Sequence, residues 1–233
     1  MSADVDTRPR HRVAVMQPYF FPYAGYFRLL AAADEFVLLD CVQFPRRGRV
    51  HRCQVPSPGA GEEWLTLPLA SQPRDTAIRD LAFAPGARAE FDARLARHAW
   101  IAAGRGPLAG HVREHLHAPL DAVVDYLEAG LRLVADALGL PATLRRSSTL
   151  AIDPALRAQD RILAIAQACG ATGYVNSPGG RDLYDPLAFA AAGMELRFLP
   201  EYDGSHVHLL PALLSEPPAT LRADVLATAT PRP

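Results

Sequence analysis

The chain contains no lysine: all 24 of its Lys+Arg positions are arginine. That absence excludes a Schiff-base lysine, a P-loop lysine and any catalytic amine on a side chain. Cysteine is scarce, with three residues at 41, 53 and 169. So few thiols exclude a disulfide scaffold and fit a reduced, cytoplasmic protein. Neither sign of charge dominates, since the formal net charge is -1. A nucleic-acid partner calls for a clear basic excess and is not expected here. No apolar run reaches the roughly 18 residues of a spanning helix, so no membrane partner is expected either. Met1 to Arg10 lacks the apolar core of a secretory leader and reads as a flexible tail.

What is present is an α/β alternation in a chain of 233 residues, 49% of them hydrophobic, enough for a sizeable core. Val13–Gln17 is a short buried strand, Gly25–Ala33 a helix, and Glu35–Asp40 a second strand, which together make a βαβ unit. Between Phe44 and Leu69, proline and glycine punctuate two extended runs, Arg49–Val55 and Glu63–Leu69, read as a hairpin attached to the main sheet. Alternation in the first run puts Val50, Arg52 and Gln54 on one face and Arg49, His51, Cys53 and Val55 on the other. Thr76–Phe83 reads as one more strand. Helical spacing then covers residues 86–139, with a break at Gly104–Pro107 and a stripe of Val123, Val124, Leu127, Leu131, Val134 and Leu138. The alternation returns with strands at 142–146, 172–176 and 194–199 and helices at 154–169 and 186–192. The expected fold class is therefore α/β: a Rossmann-like, mainly parallel sheet with a β-hairpin insertion and a helical cap. The expected organisation is a tail over 1–11, an N-terminal α/β part over 12–85, a helical insertion over 86–140, the C-terminal α/β half over 141–215 and a Pro/Ala-rich tail over 216–233.

The polar residues that chemistry would need fall at strand ends. Gln17 closes the first strand and Asp40 the second; Ser147 and Ser148 follow the 142–146 strand, and Ser177 follows the 172–176 strand. In parallel sheets, crevices open at the carboxyl ends of the strands, so these residues are candidate ligand contacts. Gly179 and Gly180, within Ser177-Pro178-Gly179-Gly180-Arg181, form a candidate anion-binding turn. Tyr19, Tyr23 and Tyr26 line the loop after the first strand, where they either plug a tight turn or touch a ligand. Asp40 to Arg52 gathers a carboxylate, the Gln43 amide and arginines 46, 47, 49 and 52, which can hold an anion bidentately or form a solvated surface. Cys41 with His51 is a candidate thiolate–imidazole pair, against a plain packing role for the thiol. His111, His115 and His117, and His206 with His208 on one strand face, are read as surface residues rather than metal ligands, since no carboxylate completes a zinc spacing. No cofactor is named by the sequence.

Two resemblances follow from these residues. The loop Phe20-Phe21-Pro22-Tyr23-Ala24-Gly25-Tyr26 resembles the phosphate-side loop of nucleotidyltransferase-like (HUP-type) Rossmann domains, with tyrosine where those have histidines. Met16–Phe27, Asp40–Gly48, Trp64–Pro68, Ser147-Ser148, Arg161–Leu163 and Ala171–Tyr174 through Tyr184 resemble the WbqC-like protein family over nearly the whole chain. That resemblance implies a place in bacterial polysaccharide (O-antigen) or natural-product biosynthesis and a transferase or ligase role. The family pattern has a second Asp where Cys41 stands here, Trp for Arg49, and Asn for His51 and Cys53, while Arg52 is retained.

The expected function is a small-molecule transferase, moving an acyl or aminoacyl group to an amino group. Asp40, Cys41 and His51 are the candidate catalytic residues. Gln17, Tyr19, Tyr23, Tyr26, Gln43, Arg46, Arg52, Ser147, Ser148, Ser177, Gly179, Gly180 and Tyr184 are the candidate substrate contacts. The alternatives are a Cys41/His51-dependent acyltransferase or amidase, and a non-catalytic module. The partners expected are a small-molecule substrate and an acyl or aminoacyl carrier protein.

Overall fold

The computed structural model describes residues 10–231; the expected tail over 1–11 lies largely outside them. Five short segments, the central ones apolar, form one all-parallel sheet: β1 (Arg12–Met16), β2 (Glu35–Leu38), β5 (Thr143–Arg146), β6 (Gly173–Asn176) and β7 (Glu195–Phe198). Their order across the sheet is β5-β2-β1-β6-β7. The chain starts in the middle, winds outward through β2 to β5, then crosses back to β6 and winds the other way. This is a doubly wound α/β fold, and the order reverses between β1 and β6.

Alternate residues of these strands feed two separate cores, as strand geometry demands. Ala14, Phe36, Leu38 and Val175 face a large core with helix α1 (Ala24–Ala32), while Val13, Val15, Val37 and Tyr174 face a smaller one. The smaller core is closed by α6 (Ala158–Ala168) and α7 (Pro186–Ala191), through Ile162, Ile165, Ala166 and Phe189. The larger core also takes α2 (Ala87–Ala96), α3 (Ala99–Ala103), α4 (Ala109–Leu116) and α5 (Val123–Ala137). All six residues of the expected α5 stripe are buried in it. The break between α3 and α4 is also as expected: a Cβ at Gly104 or Gly106 would lie 2.8 Å from the chain at Leu214–Ser215. Helices α8 (Leu209–Ser215) and α9 (Pro218–Ala227) complete this side, with Leu221 and Val225 of α9 buried.

The structure corrects several expectations. The hairpin, β3 (Arg52–Pro56) with β4 (Glu62–Thr66), forms its own two-stranded antiparallel sheet and does not join the parallel one. It packs instead through Cys53, Val55 and Leu65 into the larger core. Val50 is buried too, so the expected alternation fails there: the ladder begins at Arg52, after a turn. Thr76–Phe83 is not a strand. It is a single 3-10 turn, Ile78–Asp80, with isolated bridges Gln43–Ala77 and Leu69–Phe83 on either side. Pro154–Arg157 is loop, and α6 begins only at Ala158. His206 and His208 lie in a loop rather than on a strand.

Two structural devices hold the first loop in place. Gly25 sits under the Tyr23 ring, where a Cβ would come within 2.1 Å of a ring carbon. Arg28, 1% exposed, donates to the carbonyls of Pro200 (2.8 Å) and Thr228 (2.5 Å), so α1 is tied to the end of α9. No helix among the described residues is long and apolar enough to cross a membrane.

Candidate functional site

A crevice of about 760 Å³ opens at the carboxyl edge of the parallel sheet, beside the strand-order reversal. Most of the walls follow strands: Gln17 after β1, Leu39, Cys41, Val42 and Gln43 after β2, Ser147 and Ser148 after β5, and Leu183 and Tyr184 in the segment after β6. The segment Asp75–Arg79 and the entry to α6, from Leu150 to Ile162, close it. Of the sequence candidates, the crevice brings together Gln17, Cys41, Gln43, Ser147, Ser148 and Tyr184.

Asp40 underlies this edge. It is 1% exposed, and its carboxylate accepts three hydrogen bonds: from Ser147 Oγ (2.8 Å), the Ser148 N–H (2.8 Å) and Ser148 Oγ (2.5 Å). Ser147 Oγ in turn accepts the Asp40 and Cys41 N–H groups at 3.1 and 3.3 Å. The carboxylate therefore knots the ends of β2 and β5 together, and both serine hydroxyls are engaged by it. A buried charge with three donors is held by them, and its removal would strand those donors. Asp40 positions the crevice floor without lining the crevice.

Arg161 on α6 spans the crevice edge. Its terminal nitrogens donate to the carbonyls of Cys41 (3.4 Å) and Pro154 (3.0 Å), and its Nε is buried with no hydrogen-bond partner. Arg157, one turn earlier, donates to the Leu156 carbonyl at 2.8 Å. Arg79, Arg157 and Arg161 against Asp75 and Asp153 leave the lining net positive. Tyr184 is half-buried, and burial raises the pKa of its phenol while hydrogen bonding with Tyr174 and Asn176 opposes that rise.

Other candidates lie elsewhere. His51 lines a separate cavity of about 340 Å³ with Phe44, Arg46 and Gln72, so it does not share the crevice with Cys41. Burial, then the charges of Arg52 and Arg94, push its pKa down to about 4, leaving a neutral imidazole at neutral pH. Arg52 donates to the Gly48 carbonyl (3.0 Å) and the Arg47 carbonyl, and its guanidinium stacks 4.2 Å from the Trp64 ring centroid. It thus clamps the turn before β3. Arg46 holds the Gln72 carbonyl at 2.7 Å. Cys53 is buried, which raises its thiol pKa far above the ordinary range.

Tyr26 is 2% exposed and donates to the Gln17 carbonyl at 2.9 Å, which makes it part of the plug behind Gln17. Tyr19 and Tyr23 are half-buried; Tyr19 packs on Tyr26, and Tyr23 packs on Tyr202. The N-terminal amide of α1, at Ala24, donates to the His206 carbonyl (3.1 Å), so this helix start is covered rather than open to a phosphate. Ser177, Gly179 and Gly180 do not line the crevice: the Ser177 N–H bonds Asn176 Oδ1 (2.8 Å) and the Gly180 N–H bonds the Ser177 carbonyl (3.1 Å). This turn is closed on itself. A Cβ at Gly180 would lie 2.4 Å from Asn176 Nδ2, so glycine is needed for packing.

The expected surface histidines are not all on the surface. His115 is 8% exposed, stacked 4.4 Å from Tyr126, and burial lowers its pKa to about 4. His117 pairs with Asp92 at 2.9 Å, and His206 with Glu216 at 3.1 Å. Among the described residues, no group of three or more His, Cys, Asp or Glu is arranged to hold a metal ion.

Residues that sequence reasoning did not place at a site are Arg157 just before α6, Arg161 on it, and the apolar lining Leu39, Leu150, Ile152 and Ile162. One signal was available: Arg157 and Arg161 are four apart where a crossover helix begins, and in a doubly wound fold such helices start at the carboxyl edge.

The model of the WbqC-like protein family matches residues 17–206 of this chain. A protein of Mycobacterium tuberculosis (strain ATCC 25618 / H37Rv), named uncharacterized protein Rv1507c, is 28% identical over 202 residues, covering 83% of each chain. No solved structure matches. With most of its length matched, from Gln17 to His206, the chain belongs to the WbqC-like protein family.

Proposed function

We propose that this WbqC-like protein is a cytoplasmic small-molecule transferase, moving an acyl or aminoacyl group from an activated donor to an amino group in polysaccharide or natural-product biosynthesis. One observation carries the reading: segments far apart in sequence bring Gln17, Cys41, Gln43, Arg161 and Tyr184 to a single crevice at the strand-order reversal. The Gln17 amide and the Arg161 guanidinium, both in the crevice lining, suit a donor's carbonyl oxygen. The acceptor nitrogen attacks the carbonyl carbon and a C–N bond forms. The bond to the leaving group then breaks, and that group departs with the electron pair. The amine's proton passes to Asp75 or Asp153, the carboxylates of the lining. A lysine-free chain offers no competing side-chain amine for the donor.

Incubation with acyl and aminoacyl thioesters or phosphates against amino sugars, followed by mass spectrometry, tests this. Product should form, and Arg161→Ala or Gln17→Ala should lower turnover by about tenfold or more while the protein stays folded. Full activity in both variants would remove the crevice from the mechanism. A second reading, a non-catalytic module for an acidic carrier protein, draws on the exposed arginines 46, 47, 74 and 79 of adjoining segments. No turnover with any donor, together with saturable titration by a carrier, would favour it. The Cys41 nucleophile is a further alternative. It predicts an acyl adduct by intact mass and an inactive Cys41→Ser variant.

A further inference from the structure

Most polar side chains of the crevice are already engaged by their neighbours. Ser147 and Ser148 donate to Asp40, Gln43 donates to the Arg74 carbonyl (2.7 Å), and Gln159 accepts the Asp185 N–H (2.5 Å). Asp153 accepts the Ala155 N–H at 2.8 Å, and Arg157 holds backbone carbonyls of its own loop. Beside the Cys41 thiol and the exposed Asp75 and Arg79, what remains for a ligand is the Gln17 amide and the guanidinium of Arg161, whose Nε is buried and unpartnered. Much of the remaining surface is apolar: Leu39, Val42, Leu150, Ile152 and Ile162 belong to the lining, and Leu183 stands at the rim.

A polyhydroxylated ligand filling this space would lose hydrogen bonds to water and find few replacements. An apolar body with a single carbonyl or carboxyl head would match both ends. The rim points the same way. Leu183 is 69% exposed and Leu187, four residues on, is 77% exposed, an unusual concentration of apolar surface on one short stretch. The volume, about 760 Å³, lies within the range of small-molecule sites, roughly 300–1,000 Å³.

We propose that the group held in this crevice is the acyl group of an apolar carboxylic acid, its carbonyl end at Gln17 and Arg161 and its chain along Leu150, Ile152 and Leu183. The assignment rests on the transferase reading for its place in a reaction, but not for its binding chemistry. The acid can arrive free or as a thioester.

Calorimetric titration of the full chain with straight-chain carboxylates from acetate to decanoate tests it, with n-alkylamines of equal length as controls and acyl-coenzyme A thioesters as a parallel series. Affinity should rise about fourfold per added methylene in at least one acyl series. It should not rise in the amine series. Arg161→Ala should weaken every member of the series by a similar factor, about tenfold. Ile152→Asp should flatten the chain-length dependence. Leu183→Asp, at an exposed position that cannot disturb the core, should reduce it. A rise confined to the free acids or to the thioesters identifies the source and keeps the proposal.

A flat response in both acyl series would overturn the proposal, as would an unaltered slope in both Ile152→Asp and Leu183→Asp. A rising series in a protein that turns over no donor keeps this inference and removes the transferase reading. Turnover with acetyl or aminoacyl donors over a flat series does the reverse.

Discussion

The hairpin and the crevice make opposite use of their polar residues. The hairpin region looks chemically rich, with Arg46, Arg49, Arg52, His51 and Cys53 within a few residues, yet its groups bind the protein to itself. Arg52 caps a turn, Arg49 donates to Gln54 Oε1 at 2.9 Å, and Cys53 is core. The crevice lining is charged too, with Arg79, Arg157 and Arg161 against Asp75 and Asp153, but its Gln17 amide and Arg161 Nε have no hydrogen-bond partner among the described residues. Charge density is thus a poor guide to a site; uncommitted hydrogen-bonding capacity at a place ligands can reach is a better one.

The comparison can be broken most forcefully at the crevice floor. Asp40→Ala removes the acceptor of three buried donors and should cost on the order of 3–5 kcal/mol in urea unfolding, with Asp40→Asn milder. A loss below about 1 kcal/mol would show that the β2–β5 knot is dispensable. Next comes pH. His51 and His115 both have folded-state pKa values near 4 against 6.5 in the unfolded chain. The unfolded chain binds protons first, so their contribution is fully present above pH 6.5 and is lost as pH falls from there to about 4. His115, the better buried, should account for on the order of 2 kcal/mol of that loss. His115→Gln should flatten the pH–stability slope, and an unchanged slope would place the titration elsewhere.

A smaller effect is expected at Arg52. If the hairpin is structural, Arg52→Ala should cost about 1–2 kcal/mol of stability and leave ligand binding in the crevice intact. Loss of binding at unchanged stability would reverse the roles assigned to the two regions. The smallest change is Cys41→Ser. It keeps the side chain's shape, and turnover should stay within about twofold if the thiol is only lining. Abolished turnover would move the chemistry onto sulfur.

Much of the fold was legible because buried parallel strands are short apolar runs and the helices between them carry a 3.6-residue stripe. Val13–Met16, Glu35–Leu38 and Gly173–Asn176 announce themselves this way, as does the α5 stripe. Thr76–Phe83 misled because Ile78, Leu81 and Phe83 are spaced equally well for a 3-10 turn packed on its side. The hairpin's failure to join the main sheet was invisible, since edge pairing depends on tertiary placement rather than on local pattern. The strand-end reading places Gln17, Ser147 and Ser148 in the crevice lining, while Asp40 lies buried beneath it. It fails at Ser177–Gly180, where Asn176 folds back and satisfies the turn. Arg161 escaped because its one sign, a place near the start of a crossover helix, has meaning only once the sheet topology is known.

Arg28 carries a consequence for the order in which the molecule can be made. Its guanidinium reaches Thr228, 200 residues downstream, and Pro200. At roughly 5–20 residues per second, a ribosome needs about 10–40 s to deliver that partner after α1 has been synthesised. During that interval the first helix carries a charge destined for burial but with neither acceptor in place, so α1 cannot reach its final packing. The innermost part of the fold is therefore among the first to be synthesised and among the last to be sealed.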